Sequence, residues 1–243
     1  MGEGIKKYGV KTKRTIRTIG GYKRQRREFF QKPTRADRDI YGDKSLAEIR
    51  ALQKQERAWT DEKSPIEKAR SYDQYGKAVF ANDRGTRHSV SIPAYARTGK
   101  TTTHIHPYRN DSLAGRIGTT LSAQDVANAA ITGERETRAV SSGYTYSMRP
   151  QKGKGWGNVS AKAIKTFNTK ARRKWQSYYS SWLSQQTRKV TQDLQQGKIT
   201  REQALKRTNT LEARYNIMVQ HKAMQDTAKR YGWIYTRAKT KRK

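Results

Sequence analysis

Cysteine is absent from the 243 residues, which excludes disulfide bonds and thiolate zinc sites and fits a reducing compartment. No stretch approaches the roughly 18 consecutive apolar residues that a membrane-spanning helix needs. The basic N-terminal region is not followed by the apolar segment of a secretory signal. We therefore expect a soluble chain with no membrane partner.

Acidic residues are scarce, with 20 Asp and Glu against 53 Lys and Arg and a net charge of +33. The excess lies at the two ends, with +10 over residues 1–60, +4 over 61–150 and +19 over 151–243. So large an excess repels itself unless a polyanion neutralises it. Nucleic acid, bound through its phosphates without sequence preference, is the expected partner. An acidic patch on another protein is the alternative.

Histidine is also rare, and two of the four histidines stand in the segment Thr-His-Ile-His-Pro at 103–107. Side chains two apart on a strand point to the same face, so His104 and His106 are placed to bind one ion. Asp125, near the start of the next apolar periodic stretch, supplies a third ligand and leaves the open position that a catalytic zinc needs. Asp111 is an alternative third ligand, although it lacks a helix start.

Ser122 precedes Asp125 by three residues, and this spacing has two interpretations. A serine just before a helix commonly caps it by accepting a hydrogen bond from a backbone N–H. Taken with the two histidines, the Ser-any-any-Asp pattern favours a metal site instead.

The succession of His-any-His-Pro and Ser-any-any-Asp resembles the signature of JAMM (MPN) metallohydrolases and their RadC-type bacterial relatives. It is especially similar to the JAMM-type domains at the C-terminal end of tailed-phage minor head proteins. The resemblance spans about residues 64–237, and only these two motifs are specific. One departure is the loop 107–121, whose fifteen residues replace about seven in the usual pattern. We expect this loop to clamp a substrate or to occlude the metal.

The resemblance implies a zinc-dependent hydrolase of amide or peptide bonds. The implied zinc ligands are His104, His106 and Asp125. Glu67 is implied as the general base that activates water, with Glu62 as the fallback, and Ser122 as a hydrogen-bond donor to the oxyanion. His221 is a candidate neighbour of the site, although a lone histidine on a helix is more often a packing residue.

The expected fold class is α+β, a JAMM-like α/β sandwich in which helices flank a mixed sheet. Residues 1–44 are predicted to form a basic, partly disordered arm, and 45–63 a helix and linker. The metal-site domain is predicted over 64–150. A basic helical hairpin is predicted over 151–243, with a terminal strand that packs on the domain.

Local patterns predict the elements of this fold. Ser45 and Glu48 are predicted to form a capping box for a helix to about Trp59, whose apolar side is formed by Leu46, Ile49, Leu52 and Trp59. A β-hairpin is predicted over 66–80, with Gly76 in its turn. Further strands are predicted at 100–106, 138–140, 144–148 and 233–237. Helices are predicted from Asp125 to about Thr132, along 164–182 and beyond, and after Thr200.

Cations expected to contact phosphate lie in the arm and on the polar side of the first C-terminal helix. They are Arg24, Arg26, Arg27, Lys170, Arg172, Arg173 and Lys174. The resemblance implies a phage virion protein, found in the phage head and in the host cytoplasm during assembly. The alternative is a non-enzymatic basic virion protein that binds packaged DNA or capsid or portal components, with the JAMM-like fold as its scaffold.

Overall fold

The structure, a computed structural model, describes residues 40–42, 44–108 and 118–239. The described part contains four α-helices and one mixed six-stranded sheet, which confirms the predicted α+β class. The helices are α1 (Leu46–Glu62), α2 (Ala123–Thr132), α3 (Ala161–Gln195) and α4 (Arg201–Tyr231). The strands are β1 (Ala69–Tyr72), β2 (Ala78–Asn82), β3 (Thr101–Ile105), β4 (Glu136–Val140), β5 (Tyr144–Pro150) and β6 (Trp233–Lys239).

Two of the predicted features fall outside the described residues. The first is residues 1–39 of the basic arm, with Arg24, Arg26 and Arg27, and the second is the part of the long loop that contains Asp111. No helix in the described part of the chain is long and apolar enough to cross a membrane.

The sheet has the order β2-β1-β3-β4-β5-β6, and only the pair β3–β4 is parallel. A parallel pair needs a crossover connection, and α2 lies in that connection. The predicted hairpin is formed by β1 and β2, with Gly76 at a φ of +81° in its turn. His104, on the central strand β3, is paired with Ala69 on one side and Ala139 on the other. These small neighbours leave room beside its ring.

One face of the sheet carries the apolar core. Helices α2, α3 and α4 contribute Val126, Ile164 and Met224, which pack against Ala139 and Tyr146 of the sheet. Trp156 and Trp233 meet edge to face at 4.9 Å between ring centroids and close the same cluster. Burial of this apolar surface, worth about 25 cal/mol per Å², fixes the three helices over the face of β3 that carries His104.

The opposite face of the sheet is covered by α1 through buried ion pairs. Glu56 accepts hydrogen bonds from Arg138, whose guanidinium is fully buried and also donates to Glu136 at 2.7 Å. Glu48 accepts from the Thr101 hydroxyl and from Arg135, each at 2.6 Å. Buried charges are tolerated when they are paired in this way.

The predicted helical pair at the C-terminal end is confirmed. Ser160 caps α3, and Thr200 and Gln203 form a capping box at the start of α4. Asn168 of α3 donates to Thr227 of α4 at 3.0 Å, which fastens the base of the hairpin close to the sheet. The chain then returns through β6, which pairs with β5 along its whole length.

Candidate metal centre

Three side chains from two elements converge beside β3. His104 and His106 project from the same side of the end of that strand, and their Nε2 atoms are 3.1 Å apart. Asp125, in the first turn of α2, places its Oδ2 3.8 Å from His104 Nε2. One ligand atom from each residue lies within 4.8 Å of the other two. The group brought together is the one predicted from the histidine spacing and the Ser-any-any-Asp pattern.

The separations fit a single metal ion. Ligand atoms at the corners of a tetrahedron around zinc, at bond lengths near 2.0–2.1 Å, are about 3.3 Å apart. The observed 3.1 and 3.8 Å lie on either side of that distance. Two imidazoles and one carboxylate leave a position open in a four-coordinate site. The residues present therefore fit a metal ion bound by two nitrogen atoms and one oxygen atom.

A backbone carbonyl orients His106. Its Nδ1 lies 2.8 Å from the carbonyl oxygen of Thr119, so Nδ1–H donates and Nε2 keeps its lone pair toward His104 and Asp125. A ligating histidine usually donates its second ring N–H in this manner. Thr119 thus defines the tautomer that metal binding needs.

The start of α2 orients Asp125. Its Oδ2 accepts the backbone N–H of Ser122 at 2.7 Å, and its own backbone N–H donates to the Ser122 hydroxyl at 3.1 Å. These two bonds form a capping box. The capping interpretation of Ser122 is therefore confirmed, and the cap also holds the carboxylate beside the histidines.

Electrostatics leave both ligand types in the forms that bind cations. Burial lowers the pKa of His104 to about 4, against an opposing effect of Asp125, so its ring is neutral at pH 7. Burial would raise the pKa of Asp125, but His104, His106 and the Ser122 hydrogen bonds outweigh it and hold that pKa below its ordinary value. Neither residue has to lose a proton at neutral pH before it can bind a metal.

Glu67 lies in the same cavity as the three ligands. The cavity has a volume of about 800 Å³ and is bounded by β3, the start of α2, α3 and the segment 87–92. The antiparallel register pairs Ala69 with His104, and its continuation by two residues sets Glu67 opposite His106 on the same face. Burial, followed by repulsion from Asp125, raises the pKa of Glu67 to about 7.

Two glycines allow the close backbone approaches that shape this cavity. A Cβ on Gly85 would lie 2.2 Å from the carbonyl oxygen of Glu67. A Cβ on Gly118, whose φ is +78°, would lie 2.0 Å from Cβ of Ser141. Gly118 directly precedes Thr119, whose carbonyl orients His106. Neither position has room for a side chain without displacing the backbone.

The remaining predicted site residues take different positions. Ser122 is exposed and lines the cavity. Glu62, the fallback base, is paired with Lys68 and does not line the cavity. His221 is buried behind the site, with its Nδ1 3.0 Å from the Tyr235 hydroxyl, which in turn lies 2.7 Å from the hydroxyl of Thr120. It is therefore linked to the loop that holds His106 and does not reach the metal ligands.

The predicted phosphate-contacting cations of α3 do not form one surface. Lys170 and Arg173 are exposed, whereas Lys174 is paired with Asp226 at 3.1 Å. Arg172 lines the metal cavity.

No family model, curated protein or solved structure matches this chain.

Sequence reasoning missed Thr119, Gly85 and two cations that line the cavity, Arg87 and Lys165. The contact of Gly85 with Glu67 and the contact of Thr119 with His106 join segments 13 to 18 residues apart, so no local periodicity marks them. The available signal was that Gly118 stands just before Thr119 in a loop already expected to border the site.

Proposed function

We propose that the chain is a metal-dependent hydrolase of amide bonds, with zinc as its metal. The observation that carries the proposal is the convergence of His104, His106 and Asp125 in a cavity that also contains Glu67. A bound zinc would act as a Lewis acid at the substrate carbonyl and would favour ionisation of the attacking water. A JAMM-like arrangement of the α+β fold belongs to the same proposal.

The chain's own residues supply proton transfer and charge stabilisation. Glu67 takes a proton from the attacking water at a carboxylate oxygen and passes it to the leaving nitrogen. A group with a pKa near neutrality suits both halves of this transfer, because it gains and loses a proton with equal ease at pH 7. Ser122 accepts through its oxygen in the helix cap, and its hydroxyl hydrogen is available to donate to the developing oxyanion.

The donor set favours amides over phosphodiesters. Enzymes that cleave phosphodiesters commonly hold two metal ions about 3.5–4 Å apart, which requires a second set of ligands. Among the described residues one such group is present, made of two histidines and one aspartate. Three protein ligands with a neighbouring glutamate are typical of zinc peptidases.

Metal analysis tests the proposal. Purified full-length protein is reloaded with zinc, passed through a desalting column and analysed by mass spectrometry, with about one zinc per chain expected. His104→Ala and Asp125→Ala should each release the metal because one of three ligands is lost. His88→Ala, in which a histidine outside the ligand group is removed, is the matched control and should keep it. A wild-type chain that holds no metal after reloading contradicts the proposal.

A second candidate function is phosphate-directed binding of nucleic acid. It is favoured by the exposed cations Lys170 and Arg173 of α3, which have no ion-pair partner among the described residues.

We also propose that the chain is located in the virion, with capsid or portal proteins as neighbours. Mass spectrometry of purified phage particles tests the location, and a chain found only in the unassembled host fraction contradicts it.

A further inference from the structure

Three cations without an ion-pair partner among the described residues lie at the mouth of the metal cavity. Arg87 lies in the segment after β2, and Lys165 and Arg172 lie on α3. All three side chains are exposed, and none forms an ion pair or a side-chain hydrogen bond with a residue that the structure describes. A fourth described cation of the cavity, Arg97, is already engaged, because it donates hydrogen bonds to buried Glu134 and to the carbonyl of Ile92.

The Arg87 segment is held firmly against the residue proposed as the base. The backbone N–H groups of His88 and Ser89 both donate to the Thr86 hydroxyl at 3.1 Å, and Thr86 N–H donates to Ser89 at 2.7 Å. The carbonyl of Thr86 accepts the N–H of Glu67 at 2.8 Å. Arg87 is therefore presented on a tight turn whose position is tied to that of Glu67.

The α3 cations are also held in place. Lys165, Thr169 and Arg172 are spaced by four and three residues, so they share one face of the helix, and all of them line the cavity. Asn168, on the same stretch, is buried and bonded to Thr227 of α4. Two separately anchored segments thus direct unpaired positive charge toward one opening.

The local charge balance favours an anion in the substrate. Among the described residues, the carboxylates that line the cavity are Glu67 and Asp125, and Asp125 belongs to the metal-ligand group. A bound dication would offset them and leave the charge of Arg87, Lys165 and Arg172 uncompensated. An acidic side chain beside the scissile bond would neutralise this positive charge, and a carboxylate forms strong hydrogen bonds with a guanidinium.

We propose that the cavity selects peptides with acidic side chains next to the scissile amide, bound by Arg87, Lys165 and Arg172. This inference rests on the proposed function, since it assigns a substrate class to the same site. Peptide is favoured over nucleic acid here because the one ligand group found in the described part of the chain fits amide chemistry.

Binding of peptides that end in a hydroxamate, a group that binds metals, tests the inference in the zinc-loaded full chain. Two fluorescent peptides differ only in carrying Glu or Gln at the two positions next to the hydroxamate, and anisotropy is measured at physiological salt. The Glu peptide should bind about tenfold more tightly than the Gln peptide, a preference of the size expected from two or three exposed charge pairs. Arg87→Gln and Arg172→Gln should each lower this preference about threefold.

The controls are Arg84→Gln and Arg173→Gln, which remove the same charge from exposed neighbours outside the cavity. Both should keep the full preference for the Glu peptide. A preference near one in the wild-type chain overturns the inference, as does an equal loss in the control variants.

Two further measurements separate the possible failures. The same peptides ending in a carboxamide should bind more weakly than the hydroxamates. If the carboxamides bind as tightly as the hydroxamates, the proposed metal function fails. The preference of the carboxamide peptides for Glu over Gln then still decides the inference. Binding of a short single-stranded DNA is measured in parallel. In one outcome, DNA binding falls with Arg87→Gln and Arg172→Gln but not with the controls, and the peptides show no preference. This result assigns the mouth of the cavity to nucleic acid and overturns the inference.

Discussion

Glu67 is the titratable residue on which the proposed reaction depends. Its replacement by Gln keeps the size of the side chain and removes the proton acceptor. We expect Glu67→Gln to retain zinc, since the ligand group lacks this residue, and to lose about 100-fold or more in amide hydrolysis. Initial rates on a fluorogenic peptide, together with metal content, check this. Glu62→Gln is the control, and equal activity of Glu67→Gln and the wild-type chain would exclude Glu67 as the base.

The raised pKa of Glu67 also makes a prediction about stability. Burial and Asp125 raise this pKa from 4.5 to about 7, so the folded chain holds the proton more tightly than the unfolded chain does. Its contribution to stability is complete below pH 4.5 and is lost as pH rises through 7. In metal-free protein, the free energy of unfolding of the wild-type chain should fall relative to Glu67→Gln by about 1–2 kcal/mol between pH 5 and 8, with allowance for partial exposure.

Urea unfolding at a series of pH values measures this difference, with chelator present throughout. Groups that titrate equally in both chains cancel, so the comparison isolates Glu67. A constant difference across the range would show that Glu67 is not buried against Asp125 as the structure describes.

The metal-site residues differ in how far the sequence predicts them. The two histidines follow from the period-two geometry of a strand, which is a local rule, and the structure places them as that rule requires. Thr119 and Gly85 act through backbone contacts with distant segments. Such contacts depend on sheet register and loop path, which no short pattern encodes.

At the scale of elements, the first turn of α2 joins fold stability to metal binding. Ser122→Ala removes the hydroxyl that accepts the Asp125 N–H, and loss of such a cap costs about 1 kcal/mol of stability. The substitution keeps the Ser122 N–H that donates to the Asp125 carboxylate but loosens the helix start that positions both groups, so we expect zinc affinity to fall about tenfold. Competition with a chromogenic chelator measures the affinity. Ser122→Thr, which keeps the cap, should bind zinc like the wild-type chain, and an unchanged affinity in Ser122→Ala would contradict the coupling.

Helix α1 shows where pattern reasoning was only partly right. The predicted apolar side is confirmed at Leu52 and Trp59, which are buried, but Leu46 is 61% exposed, and Glu48 and Glu56 are buried on the same helix. The predicted capping box is only half formed, because Ser45 accepts the Glu48 N–H while the Glu48 carboxylate turns inward to Thr101 and Arg135. Buried glutamates become favourable only when arginines from the sheet pair with them. The sequence shows the charges, and only the tertiary fold shows their partners.

At the scale of the whole molecule, the positive charge is divided between two kinds of surface. The described cations of α3 include Arg172 at the metal cavity and Lys170 and Arg173 on open solvent. Lys174 is offset by Asp226. The sequence predicted that Lys170, Arg172, Arg173 and Lys174 contact phosphate. We now expect a smaller group of these residues to do so, and we assign Arg172 to the cavity.

Salt dependence of DNA binding distinguishes these surfaces. Each phosphate contact that is lost should reduce the slope of log affinity against log salt by about 0.9. Lys170→Gln combined with Arg173→Gln should therefore lower the slope for duplex DNA by up to about 1.8, whereas Lys174→Gln should lower it less because Asp226 already offsets that charge. Removal of zinc should leave the slope unchanged, since the ligands are not on this surface. Titrations of a labelled duplex at several salt concentrations measure the slope. Weak DNA binding at physiological salt, with tight binding to an acidic capsid or portal protein, would show instead that protein neutralises this charge.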